Sequence, residues 1–138
     1  MIPQNQTTQP EAQFILYKDV KSRISINVRF ENRDVWLMQT QIAAMYGVTR
    51  ENISQHIRNI YQTAELQPRR TSKKFLLVQT EGVRTVQRNI AHYNMDMIIA
   101  VGYRVKSLAA TQFRRWVAKR CTQVIIEKKQ RKVLAVKK

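Results

Sequence analysis

The sequence predicts an α+β protein: a small antiparallel N-terminal sheet leading into a helix-turn-helix, then a β-hairpin and two C-terminal helices. Three observations carry this. Residues 24–30, Ile24-Ser25-Ile26-Asn27-Val28-Arg29-Phe30, alternate apolar and polar with period two, as a half-buried strand does. From residue 40 the spacing becomes helical, with Ile42 and Met45 before Gly47, and Ile53, Ile57 and Ile60 after it. From Tyr93 onward a helical period returns, interrupted near Gly102 to Ser107.

Residues 1–12 read as disordered, because Pro3, Pro10 and a polar run offer no face to bury. Phe14-Ile15-Leu16-Tyr17 is a short apolar strand, and Lys18 to Ser22 a polar turn. In the next strand Ile24, Ile26, Val28 and Phe30 point one way, and Ser25, Asn27 and Arg29 the other. Asn32-Arg33 turns the chain, and Asp34-Val35-Trp36-Leu37 returns as a third strand. Such a sheet can cover the back of the helix pair, much as a wing does in winged helices.

The helix-turn-helix spans residues 40–62. Its first helix runs from about Thr40 to Tyr46, with Ile42 and Met45 inward and Ala43 small enough for a second helix to cross closely. Gly47 suits the left-handed backbone that ends a helix. Val48 fills the space between the helices, and Thr49 caps the second with its hydroxyl. Ile53, Ile57 and Ile60 face inward, which leaves Arg50, Glu51, Ser54, Gln55 and Arg58 as a polar outer face.

That face has the composition of a recognition helix, which enters the major groove and reads base edges near its N-terminus. Arg50 can grip guanine through two hydrogen bonds and Gln55 adenine, with Glu51 beside them. Thr49, Ser54 and Arg58, with Gln39, Thr40 and Gln41 at the start of the first helix, suit phosphates. An ordinary helical hairpin with a solvated outer face has similar spacing. The positions of Ala43, Gly47 and Ile53, and the charge of the chain, favour the nucleic-acid reading.

Gln67 to Ser72 breaks the pattern with Pro68 and two arginines. Residues 73–79 and 83–90 read as two strands joined at Glu81-Gly82, with their register open. Their basic residues suit a phosphate backbone or a solvated face equally. Asn94 caps a following helix, with Asp96 where the helix dipole favours negative charge and Met95, Ile98 and Ile99 inward. Ser107 caps a longer helix from Leu108 to about Lys128, with an apolar stripe of Leu108, Phe113, Trp116, Val117, Val124 and Ile125. Arg114, Arg115 and Lys119 lie off the stripe and are further candidates for DNA contact. The stripe itself, across residues 108–125, can serve the chain's own core or pair with a second copy in a homodimer. Residues 128–138 form a basic tail, read equally as a phosphate-contacting arm or a fraying helix end.

The chain has 138 residues, fitting a single domain over 13–127, and 43% of them are apolar. No apolar run is long enough for a membrane span, and Met1 to Glu11 lacks the pattern of a secretory signal. A reducing, cytoplasmic interior is expected, in which the single cysteine, Cys121, can form no internal disulfide. Twenty-five basic residues against nine acidic give a net charge of +16. Without the tail, nineteen basic residues still face nine acidic ones, a net +10. Such an excess favours polyanions, double-stranded DNA first, with an acidic membrane surface or a solubility feature without a partner as the alternatives, and no small-molecule substrate is expected.

No catalytic set emerges. His56 and His92 stand alone, and the carboxylates are scattered with no pair suited to acid–base work. No cysteine cluster suits zinc, and no glycine loop suits a phosphate, so neither metal nor cofactor is expected. An enzyme ranks below a DNA-binding protein and a protein-interaction module.

Several stretches resemble the RhuM family, bacterial and phage-associated proteins named after a virulence-island gene product. They are Val35-Trp36-Leu37 with Gln39 to Ala43, Thr49 to Ile60, and above all His92 to Ser107 followed by Thr111-Gln112-Phe113-Arg114-Arg115-Trp116. The resemblance covers residues 14 to about 125. It implies a DNA-binding protein of mobile elements with no known enzymatic activity. Phe113-Arg114-Arg115-Trp116-Val117 also resembles the end of the Bro-N type domain of phage antirepressors, which implies transcriptional regulation in prophage biology. An antirepressor-like module binding an acidic protein partner through Leu108, Phe113, Trp116 and Val117 is the alternative. Family members usually continue into a further region, whereas here a lysine-rich end follows, as in a short natural form or a truncated remnant. No activity of that further region is carried over.

Overall fold

In the computed structural model, residues 12–19 and 23–120 are described. The N-terminal stretch 1–11, Cys121, Val124, Ile125 and the basic tail lie outside the described residues. The order is β1 (Gln13–Asp19), β2 (Ile24–Glu31), β3 (Asp34–Met38), α1 (Gln39–Tyr46), α2 (Arg50–Gln62), a single turn α3 (Pro68–Thr71), β4 (Ser72–Glu81), β5 (Arg84–Tyr93), α4 (Met95–Val105) and α5 over 109–120.

One antiparallel sheet takes all five strands, in the order β1-β2-β3-β5-β4. β3 joins the two hairpins: Trp36 pairs with Arg29 on one side, and Leu37 and Met38 pair with Tyr93 and His92 on the other. The β2–β3 turn holds Asn32 at φ 53 and Arg33 at φ 62. A two-residue loop with both positions left-handed matches the right-handed twist of its strands. In the second hairpin Glu81 pairs with Arg84, so the loop is Gly82-Val83, one residue later than expected. The required positive φ falls on Gly82, at 63, and Val83 becomes a fully exposed loop residue instead of a strand residue.

The front of the sheet carries Ile26, Val28, Phe30, Val35, Leu37 and Tyr93 into the core. There they meet Ile42 and Met45 of α1, Ile53, Ile57 and Ile60 of α2, Met97, Ile98 and Val101 of α4, and Phe113 and Val117 of α5. Met97 is fully buried while Met95 is half-buried, so the inner face of α4 is rotated from the expected Met95-Ile98-Ile99. α4 also runs through Gly102 to Val105. At Gly102 α4 passes close to its neighbours: a Cβ there would lie 2.6 Å from Ala110 Cβ and 2.9 Å from Tyr46 Oη. That Tyr46 hydroxyl donates a buried 2.6 Å hydrogen bond to Ile98 O.

Two other expectations fail. Arg29, expected on a polar face, is only 4% exposed. The back of the sheet is not open there, because Phe75 of β4 covers it. The Arg29 guanidinium stacks 3.7 Å from the Phe75 ring centroid and pairs with Glu31 at 3.0 Å. Leu108, expected on the apolar stripe of the last helix, is 83% exposed, because it precedes the first turn of α5. Ser107 nonetheless holds that turn, its Oγ accepting from Ala109 N–H at 3.1 Å.

Candidate nucleic-acid interface

The two-helix unit is built outward from the end of β3. Met38, in extended backbone, is the N-cap of α1. Gln41 Oε1 accepts the Met38 N–H at 2.8 Å, while its Nε2 donates to Asn27 O at 3.0 Å. Gln41 thus fixes α1 to β3 and β2 through the two ends of its amide. Its neighbour Gln39 sits between two elements, donating to Tyr93 Oη at 3.2 Å and accepting from Arg50 Nη1 at 3.3 Å. That second bond brings the first turns of α1 and α2 side by side, with Thr40 exposed beside them.

α1 ends at Gly47, φ 69, whose left-handed backbone turns the chain. Val48 N–H bonds to Ala43 O at 3.0 Å, and Val48 is partly buried against the core. Thr49 caps α2, its Oγ1 accepting the Asn52 N–H at 3.0 Å. Inward, Ile53, Ile57 and Ile60 are at most 3% exposed. Outward, Arg50, Glu51, Gln55 and Arg58 are exposed and Ser54 is half-buried.

The outward residues are linked by surface contacts. Arg50 approaches Glu51 at 3.6 Å, and Arg58 Nη2 donates to Gln55 Oε1 at 2.7 Å. Gln55 Nε2 donates in turn to Asn59 Oδ1 at 3.2 Å. Exposed contacts of this kind exchange with water at little cost, so a ligand meets no large barrier in taking their place. The sequence reading missed Asn59, although its spacing of four from Gln55 was the available signal. It also missed Tyr93, whose hydroxyl reaches Gln39 from β5, fifty-four residues away.

Arg114, Arg115 and Lys119 are exposed on α5. No hydrogen bond or ion pair among the described residues joins them to α2. Phe113 and Trp116 instead pack α5 against Tyr17 and Phe30, at ring centroids 5.0–5.9 Å apart.

The histidines lie in different settings. His92 is buried, its Nδ1–H donating to Ile90 O at 2.8 Å, with Phe75 edge-on at 4.9 Å. Burial holds its pKa below the ordinary 6.5, and the Arg29 charge adds to this. His56 is half-buried in α2 with Nδ1 lacking a partner in the described structure. Among the described residues no group of three or more His, Cys, Asp or Glu side chains is placed to hold a metal. No described helix is long and apolar enough to cross a membrane.

These features define a basic α+β protein in which a two-helix unit packs against the sheet and exposes the polar face of its second helix. Residues 70–129 match the family described as Virulence protein RhuM family, and the match supports membership of the RhuM family. The matched stretch takes in β4, β5, α4 and α5, and begins after α1 and α2. No curated protein and no solved structure matches the chain.

Proposed function

We propose that this chain binds duplex DNA sequence-specifically and regulates transcription within a prophage or other mobile element. The observation that carries the reading is the division of α2. Its isoleucines are buried, while Arg50, Glu51, Gln55 and Arg58 stand out on one face beside the start of α1. A helix that presents its N-terminal polar residues in this way can enter the major groove. Gln39, bonded to Arg50, and exposed Thr40 stand beside this face, and with the first-turn N–H groups of α1 they offer donors suited to a phosphate. The net charge of +16 supplies attraction to any duplex. The likeness of Phe113 to Val117 to phage antirepressors supports the regulatory part. No catalytic residue, cofactor or metal enters the proposal.

The alternative, an antirepressor-like module using Leu108, Phe113, Trp116 and Val117, has less support. Phe113 and Val117 are buried in the chain's own core, leaving Leu108 exposed and Trp116 partly so. Titration of labelled duplexes at several salt concentrations separates the two readings. The DNA-binding reading expects the logarithm of affinity to fall by about 0.9 per neutralised phosphate for each unit of log salt. A chain that binds no duplex at low salt refutes it.

A further inference from the structure

The β4–β5 hairpin reaches beyond the rest of the sheet. Only Tyr93 and His92 of β5 pair with β3, whereas all ten residues of each hairpin strand pair with one another. β4 is consequently a ten-residue edge strand, and its outer side has no strand partner among the described residues. Such an edge presents a row of unpaired N–H and C=O groups, a template for another strand. Proteins usually blunt such an edge by keeping it short or by placing lysine, proline or a bulge on it; β4 carries lysines only at its start, Lys73 and Lys74, and is otherwise long, free of proline, and exposes Leu76 and Val78 by 46% and 41%. Both side chains lie on the same face, two residues apart.

We infer that β4 pairs with β4 of a second copy, antiparallel, about a two-fold axis through Leu77. Three features of β4 select this register. It sets Leu76 against Val78 of the other copy, twice over by symmetry, which covers both exposed apolar residues. It sets Lys73 against Glu81, so the basic start of one strand meets the acidic end of the other, where Glu81 also holds Arg88 of its own hairpin at 2.9 Å and Lys73 also reaches Glu31 at 3.5 Å. It also leaves the hairpin loop Gly82-Val83 outside the paired stretch. A two-fold contact of this kind is closed and needs one patch only. The outer strand at the opposite end of the sheet, β1, lacks this self-complementarity: a two-fold axis through its central Leu16 sets exposed Phe14 against Lys18.

The hairpin is held firmly enough to act as such an arm. At its root Lys73 reaches Glu31 at 3.5 Å, and Phe75 stacks on buried Arg29. These contacts tie β4 to β2 across the back of the sheet. The pairing joins two sheets of five strands into one continuous sheet and carries the two α2 helices as a symmetric pair. It is independent of whether those helices bind DNA.

Sedimentation velocity of the full chain across a concentration series tests the pairing. The wild type should move from monomer to dimer as concentration rises. Leu76→Lys/Val78→Lys and Leu76→Glu/Val78→Glu, changes at exposed positions, should each stay monomeric, and an equimolar mixture should form a one-to-one dimer. In a Cys121→Ser background, Leu77→Cys should crosslink to itself under mild oxidation, since paired Cα atoms fall within disulfide range. Thr80→Cys, which faces Lys74 in this register, should not. A wild type monomeric throughout overturns the inference, as does a mixture that stays monomeric. Lysine variants that dimerise like the wild type place the contact elsewhere, such as on α5, and overturn it too. Crosslinking of Thr80→Cys in place of Leu77→Cys refutes the register.

Discussion

Replacing Gly102 by alanine tests how the two-helix unit is braced. Within a helix this change is ordinarily favourable by about 1 kcal/mol, because alanine costs less backbone entropy. Here the added methyl would lie 2.6 Å from Ala110 Cβ, an atom fixed to the α5 backbone, and 2.9 Å from Tyr46 Oη. Overpacking of this kind costs about 1–3 kcal/mol. Pushing Tyr46 aside also weakens its buried bond to Ile98 O, and a hydrogen bond so lost costs a further ~1 kcal/mol. Set against the helix gain, Gly102→Ala should destabilise by roughly 2 kcal/mol. Urea unfolding followed by circular dichroism measures this, in wild-type and Tyr46→Phe backgrounds. Without the hydroxyl, one of the two close contacts and the bond at risk are gone. The cost should therefore shrink by about 0.5–1 kcal/mol, the coupling expected of residues in contact. It should not vanish, because Ala110 remains. The reasoning fails if Gly102→Ala is as stable as the wild type, or costs the same in both backgrounds.

Other expectations concern the cap, the covered arginine and the buried histidine. Thr49→Ala removes the Asn52 cap and should cost about 1 kcal/mol in the same unfolding assay. Arg29→Ala removes the 3.0 Å partner of the half-buried Glu31 and leaves Phe75 uncovered. The loss should fall near the low end of ~3–5 kcal/mol, because Lys73 still reaches Glu31. His92 is held neutral, its folded pKa below the ordinary 6.5. As pH falls through 6.5 the unfolded chain takes up a proton that the folded chain resists, so stability falls until the folded pKa is reached. Melting temperature should drop over that window in the wild type and less in His92→Gln.

The elements whose partners lie close in sequence were legible. Alternation in residues 24–30, the two-residue turn at Asn32-Arg33, Gly47 and the Thr49 cap all act over a few residues, and the structure places them as expected. What was hidden depends on distant partners. The burial of Arg29 follows from Phe75, forty-six residues later. The commitment of Gln41 follows from a carbonyl on β2, fourteen residues earlier. The pairing of β3 with β5, which closes one sheet from two hairpins, left no local trace in either strand. In the second hairpin the residues on both faces are mixed, so alternation could not set the register, and the backbone freedom of Gly82 does. For the candidate site, the exposed face of α2 could be read from its isoleucine spacing, because burial of one face determines the other. The joining of Gln39 to both Arg50 and Tyr93 could not.

The proposal that α2 reads bases is tested most directly by selecting bound duplexes from a random pool, then titrating the enriched sequence against Arg50→Ala and Arg58→Ala. The account predicts a recurrent sequence. Arg50→Ala should weaken binding to it by ~1–3 kcal/mol and relax one base position, while Arg58→Ala weakens all duplexes alike. A pool that never converges, or an Arg50→Ala chain with unchanged affinity and preference, would contradict it.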